Sequence, residues 1–283
     1  MVRNAFARAL TLAVVAGLTA AGCIAVRAAT PTDQGTSPTA TGDPVRVAIF
    51  NNYPPAEYVD DGRLTGWMIE LLEPLSRESG LTFELVQINN FSTLIPGLQS
   101  GRFDMAAANL TVSGERTKVI DMVTVDSVGT GFSTAKDGGV AIRSGRDVCG
   151  KEVSALSGSV YEPQLKAINA ECSAAGLPVA RTNLYPDSSA GILAAANGRV
   201  DVFMGSYAEV VYSADESGQL EVQPYQFAKL PEAIGLPKGS PYTQRMLAAV
   251  EAVIANGEYE AVLEKWGVAE IAITEPQLNP VVD

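Results

Sequence analysis

Histidine is absent from this 283-residue chain. That removes a Ser-His-Asp triad, a Cys-His nucleophile pair, a histidine general base and any histidine-containing metal site. Basic residues are scarce relative to acids, 20 Lys and Arg against 32 Asp and Glu, for a formal charge of −12. They form no cluster and no basic helix face. Nucleic-acid binding, which needs concentrated positive charge to neutralise phosphates, is therefore not expected, and neither is electrostatic adhesion to anionic lipid. The chain has no Gly-x-Gly-x-x-Gly and no phosphate-cradling loop ending in Gly-Lys-Ser or Gly-Lys-Thr. No apolar run reaches the roughly 20 residues that a membrane-spanning helix needs. Nothing in the sequence calls for a metal or a cofactor, and the lack of common catalytic machinery favours a binding role.

The amino terminus carries an export signature. Arg3 and Arg8 precede an apolar stretch from Ala9 to Ala20, the length of a secretory core segment. It runs into Leu18-Thr19-Ala20-Ala21-Gly22-Cys23, which resembles the lipobox of bacterial lipoproteins. That resemblance implies a signal peptide over 1–22 and a lipidated Cys23. Ordinary cleavage near Ala28-Ala29 and an uncleaved anchor are the alternatives. Residues 30–44 are mostly Thr, Ser, Pro, Gly and Asp, too polar to offset their ordering entropy. With Cys23 they read as a tether over 23–44, and folding is expected to begin near Val45.

With Cys23 assigned to lipidation, Cys149 and Cys172 remain. In an oxidising compartment the simplest outcome is a disulfide between them, worth about 3 kcal/mol in the chain-entropy account. Two free buried thiols are the other outcome.

Strands and helices alternate along the body. Residues 45–51 read as a strand entering a polar loop. Residues 66–80 have helical apolar spacing despite Pro74, and 81–86 alternate as a strand. Ser92 or Thr93 is expected to cap a helix through Leu94, Ile95 and Leu98 that stops at Gly101, and 103–108 follows as a strand. This alternation predicts an α/β fold with a largely parallel sheet.

One segment recurs. Leu98-Gln99-Ser100-Gly101-Arg102-Phe103-Asp104 is echoed at constant spacing by Ala195-Ala196-Asn197-Gly198-Arg199-Val200-Asp201. Each reads as a helix end, a left-handed glycine, an Arg, an apolar residue and an Asp leading into a short strand. The recurrence predicts two similar α/β lobes. It makes Asn109 and Ser206 equivalent positions at carboxyl ends of strands, where ligands of open α/β sheets bind.

Four ordered stretches resemble the family 3 extracellular solute-binding proteins, the polar amino acid receptors of ABC importers. They are Tyr53-Pro54-Pro55-Ala56-Glu57-Tyr58, then Gly66-Trp67-Met68-Ile69-Glu70-Leu71, then the run centred on Asn109-Leu110-Thr111-Val112-Ser113-Gly114-Glu115-Arg116. The fourth joins Ile234-Gly235-Leu236-Pro237-Lys238-Gly239-Ser240 to Lys265-Trp266-Gly267. The similarity spans about Val45 to Val268. It implies a two-lobe, type II periplasmic-binding-protein fold, each lobe a mixed, mainly parallel sheet flanked by helices. Lobe 1 would take 45–130 and 231–270, lobe 2 would take 131–230, and a two-segment hinge would join them. Residues 271–283 would form a tail.

The same resemblance implies the site. Arg116 would hold a ligand carboxylate through its planar fork, helped by the Thr111 hydroxyl. Asn109 would offer its backbone carbonyl to an ammonium. Tyr53 and Phe91 would sandwich the ligand's side chain. Ser157 and Ser159 of the Ser157-Gly158-Ser159 loop, with Tyr161 nearby, would complete the carboxylate site from lobe 2. At Ser206 the family commonly has an Asp that pairs with the ammonium. Asp187 or Glu209 substitutes for it, or the ligand lacks a conventional α-ammonium. The implied function is an extracytoplasmic, membrane-anchored, monomeric subunit that captures an amino acid or similar small carboxylate for an ABC permease. The alternatives are a ligand sensor or a periplasmic lyase of the cyclohexadienyl dehydratase kind, for which Glu57 or Asp187 would have to serve.

Overall fold

The computed structural model describes residues 42–282. The export segment 1–22, Cys23 and nearly all of the tether lie outside the described residues, as does Asp283. Among the described residues no helix is long and apolar enough to cross a membrane.

Strand β1 (Val45–Phe50) is an apolar, β-branched run, buried at all but one position. It leads into a small antiparallel sheet of β2 (Asn52–Tyr53), β3 (Glu57–Asp60) and β4 (Arg63–Thr65). Helix α1 (Trp67–Ser79) starts at Gly66, where a Cβ would sit 2.0 Å from the Ala56 carbonyl oxygen, so only glycine fits. Gly80 ends the helix in the left-handed conformation, its N–H returning to the Arg77 and Ser76 carbonyls. Strand β5 (Phe83–Ile88) begins two residues later than the sequence suggested, because Leu81 is tied into the end of α1 through Ser76 and Ser79. The cap before α2 (Leu94–Gln99) also differs from expectation. Asn90, not Ser92 or Thr93, supplies the side-chain acceptor, and a single 3-10 turn over Phe91–Thr93 precedes the helix. Strand β6 (Met105–Thr111) is buried throughout and runs three residues beyond the expected end at 108.

Helix α3 (Gly114–Val119) leads into the long strand β7 (Ile120–Ala135). Then come β8 (Glu152–Leu156), α4 (Tyr161–Ala174), β9 (Arg181–Tyr185), α5 (Ser188–Ala196), β10 (Val202–Ser206) and α6 (Tyr207–Ser217). The chain returns through β11 (Leu220–Val222) and β12 (Phe227–Pro237) to α7 (Thr243–Ala255) and α8 (Glu258–Lys265). Cys149 and Cys172 are disulfide-bonded, tying the loop before β8 to α4.

The strands form one path, β5-β1-β6-β12-β7-β10-β8-β9, with β11 on β7. Pairing is parallel at each end, in β5-β1-β6 and in β10-β8-β9, and antiparallel through the middle, where β12 and β7 carry the chain between the two halves.

The sequence repeat has a physical counterpart. Gly101 and Gly198 both take positive φ, 70° and 66°. Asp104 then accepts the Arg46 backbone N–H at 3.0 Å, and Asp201 accepts the Glu152 backbone N–H at 2.8 Å. The N–H of Asp104 bonds the Arg46 carbonyl, and that of Asp201 bonds the Glu152 carbonyl, both at 2.9 Å. The same residue type thus fixes β1 beside β6 in one half and β8 beside β10 in the other.

Candidate functional site

The carboxyl ends of β6 and β10 meet at the middle of the molecule. Three small chambers of about 10 Å³ each lie between the halves, each the size of roughly one water. Contacts cross directly from one half to the other. Arg116 Nη2 donates to the Gly158 carbonyl at 2.9 Å. The Tyr53 and Tyr161 hydroxyls lie 3.4 Å apart, those of Tyr58 and Tyr212 3.0 Å, and the Ser189 N–H donates to Asn52 Oδ1 at 2.9 Å.

Arg116 stands in the first turn of α3, whose cap is Ser113. Its Nη1 donates to the Thr111 carbonyl at 2.7 Å, and its Cζ lies 5.8 Å from the centre of the Phe91 ring. Burial lowers its pKa and the Glu232 charge opposes that shift; a guanidinium stays cationic under such pressure. The first chamber is bordered by Arg116, Thr111, Phe91, Ser159 and Tyr161. Tyr53 and Asn109 border the first and second chambers, and Ser206 the second and third. The sequence-derived set is therefore largely brought together.

Two members stand apart. Asp187 caps α5, its Oδ1 accepting the Ala190 N–H at 2.8 Å, and it borders none of the three chambers. A cap carboxylate is drawn to orphan helix N–H groups rather than to a cleft. Ser157 does not border them either; its N–H donates to the Tyr185 carbonyl at 2.8 Å. Ser206 has a local duty: its hydroxyl accepts the Glu209 N–H at the start of α6. Gly158, between the two loop serines, has φ 79°, and a Cβ there would lie 2.9 Å from Ser92 Cα. Glycine is what lets this loop approach the opposite half so closely.

Two residues of the site escaped the sequence reading. Glu232 of β12 borders all three chambers, and Asp126 of β7 borders the second. Cα register places Thr111, Glu232 and Asp126 side by side across β6, β12 and β7, so their side chains share a face. Thr111 Oγ1 donates to Glu232 Oε1 at 3.0 Å. Asn109 Nδ2 donates to Asp126 Oδ2 at 2.7 Å and reaches Glu232 Oε2 at 3.4 Å. Burial pushes Glu232 up to about 7, against the hydrogen bonds from Thr111 and Asn109 and the charge of Arg116. Burial, then the neighbouring Glu232, raises Asp126 well above the usual carboxylate range. Glu57 is fully buried beside them and raised by burial and by the other acids, and burial takes Glu209 to about 8. The available signal was an isolated acid within an apolar strand, as in Leu230-Pro231-Glu232-Ala233-Ile234, since acids are almost never buried without a reason. Among the described residues, no group of three or more Cys, Asp and Glu side chains is arranged to hold a metal ion.

Comparison with known proteins gives the same outline. Residues 45–269 match the bacterial extracellular solute-binding proteins, family 3. The arginine-binding protein ArgT of Corynebacterium glutamicum is 26% identical over 230 residues, covering 80% of this chain and 75% of that protein. The L-cystine-binding protein TcyJ of Escherichia coli is 27% identical over 232 residues, 80% of this chain and 83% of that one. Among solved structures, an ancestral arginine-binding protein bound to arginine superposes with a TM-score of 0.72 at 26% identity, covering 78% of this chain and 97% of that chain.

Proposed function

The chain belongs to the bacterial extracellular solute-binding proteins, family 3, and from that premise we propose that it captures an amino acid or related small carboxylate between its two halves and delivers it to an ABC permease. The observation that carries this reading is Arg116. It is a buried guanidinium at the meeting of the halves, spanning a carbonyl of its own half and a carbonyl of the other. A carboxylate is a stronger, charge-assisted partner for that fork than a peptide carbonyl. On this reading the ligand displaces the Gly158 carbonyl and inherits its position between the halves. Thr111, Ser159 and Tyr161 stand close enough to add hydroxyls, and the Phe91 and Tyr53 rings supply apolar faces.

The chambers are smaller than an amino acid, so entry requires the cross-cleft contacts to part and release requires the same. Such gating suits a receptor whose closed form is what a permease recognises. Catalysis finds less support. The buried acids are held by neighbours within the protein, and the curated relatives are binding proteins. Export and lipid anchoring at Cys23 belong to this proposal too; Cys23→Ser should move the protein from the membrane fraction to the soluble one.

The test is a thermal-shift screen of the full-length protein against the standard amino acids and a set of non-amino carboxylates, with Arg116→Ala beside the wild type. A ligand at 100 times its dissociation constant adds about 2.7 kcal/mol, a rise of roughly 5 to 10 °C for a body of this size. The expected result is such a rise for one ligand group, lost in Arg116→Ala. An equal rise in the variant would remove Arg116 from the site. Conversion of the stabilising compound to a new product would move the lyase reading ahead.

A further inference from the structure

Asp126 and Glu232 pose a question that carboxylate capture does not answer. The guanidinium at the centre of the molecule is accompanied by two carboxyl groups in direct register, each at least 98% buried, so a ligand carboxylate alone would add negative charge to an already acidic cleft. We propose that these two residues, one on each strand that crosses between the halves, receive the ligand's cationic groups, and that the ligand is a small monocarboxylate bearing two of them, an α-ammonium at Glu232 and a side-chain cation at Asp126. The proposal rests on the reading of Arg116 as the carboxylate site.

The positions fit that division. Glu232 takes a hydrogen bond from the side chain of Thr111, the residue whose carbonyl Arg116 holds. It therefore lies one residue away from the carboxylate site, where the ammonium on the adjacent carbon of an α-amino acid would fall. Asp126 is farther along the second chamber, past Tyr53 and Asn109 and next to Trp67. Its Oδ1 is buried with no hydrogen-bond partner, and so is Asn109 Oδ1. Both residues border this chamber. Behind them both carboxylate oxygens of Glu57 are buried and unpartnered.

The second chamber thus offers acceptors without matching donors. A neutral apolar side chain entering it would leave those acceptors unsatisfied, at the full cost of their desolvation. A donor-rich cation satisfies them, and the Tyr53 and Trp67 rings suit a cation as well. The opposite half contributes no competing charge at the position equivalent to Asn109. Ser206 is neutral, and its hydroxyl is engaged by the start of α6. Charge closes as well, since two cations balance the two receptor carboxylates and Arg116 balances the ligand's own.

Isothermal titration of the full-length protein with L-arginine, L-lysine, L-citrulline and agmatine tests this. Citrulline has nearly the shape of arginine without its side-chain charge, and agmatine lacks the carboxylate. The expected result is binding of arginine or lysine at least about 100-fold tighter than citrulline, the scale of an unpaired buried charge. Asp126→Asn should weaken the dibasic ligand about 30-fold or more and change citrulline by less than about 3-fold. Glu232→Gln should weaken both, because both carry the α-ammonium. Citrulline binding as tightly as arginine to the wild type, or Asp126→Asn weakening both equally, overturns the proposal and leaves the pair a structural one. Agmatine binding as tightly as arginine would overturn the carboxylate role of Arg116 while leaving the cation receptor standing. Failure of every compound to bind overturns both.

Discussion

Arg116 and Gly158 show how single residues set the geometry of the cleft, and each invites a substitution. Gly158→Ala places a Cβ against the Ser92 backbone and forces a side chain into positive φ, a strain of about 1 to 3 kcal/mol. Since the clash is with the opposite half, the strain falls on the closed form alone. Small-angle scattering should report a larger radius of gyration for this variant than for the wild type; an unchanged radius would mean that the loop yields locally. Arg116 was legible in the sequence because its neighbours form an ordered motif on a helix start, and Tyr53, Phe91 and Thr111 were legible with it. Asp126 and Glu232 were not. Their meaning depends on strand register, and a one-residue difference would have turned either side chain to the other face of the sheet. Asp187 misled for the opposite reason: an Asp before a helical run has a sufficient local use as a cap, and that use won.

At the scale of elements, the paired aspartates of the repeat are the joints of the fold. Asp104 binds both the backbone N–H and the guanidinium of Arg46, whereas Asp201 binds the Glu152 backbone N–H. Asp104→Ala should therefore cost more than Asp201→Ala, roughly 2 to 4 against 1 to 2 kcal/mol, measured by urea unfolding. Equal losses would mean that the Arg46 pair, half exposed on the arginine side, adds nothing. The alternation of strands and helices was readable because each element carries its own period and stop signals, as at Gly80 and Gly101. Element edges were less readable. Strand β6 extends to Thr111 because β12 pairs with it as far as Glu232, a partner more than a hundred residues distant that no local pattern announces.

For the whole molecule, the buried acids make stability depend on pH in a direction opposite to that of an ordinary acidic protein. Glu232, at about 7, and Glu209, at about 8, hold their protons more tightly folded than unfolded. Their contribution is complete below the unfolded carboxylate value of about 4.3 and is lost as pH rises through the folded values. For Glu232 the linkage is of order 3 kcal/mol. The melting temperature of the ligand-free protein should rise by several degrees between pH 8 and pH 5, and Glu209→Gln should flatten the curve. A flat profile in the wild type would mean that these groups stay ionised inside. The order of the strands also bears on how the chain is made. Strand β6, buried at every position, has β1 on one side and β12 on the other, and β12 is made only after the whole of the second half. Threaded from its amino terminus, the first half must wait with a bare, apolar strand edge while the second half can close upon itself. That interval is when the nascent chain is most open to mispairing, so the half that folds last is the one that begins first.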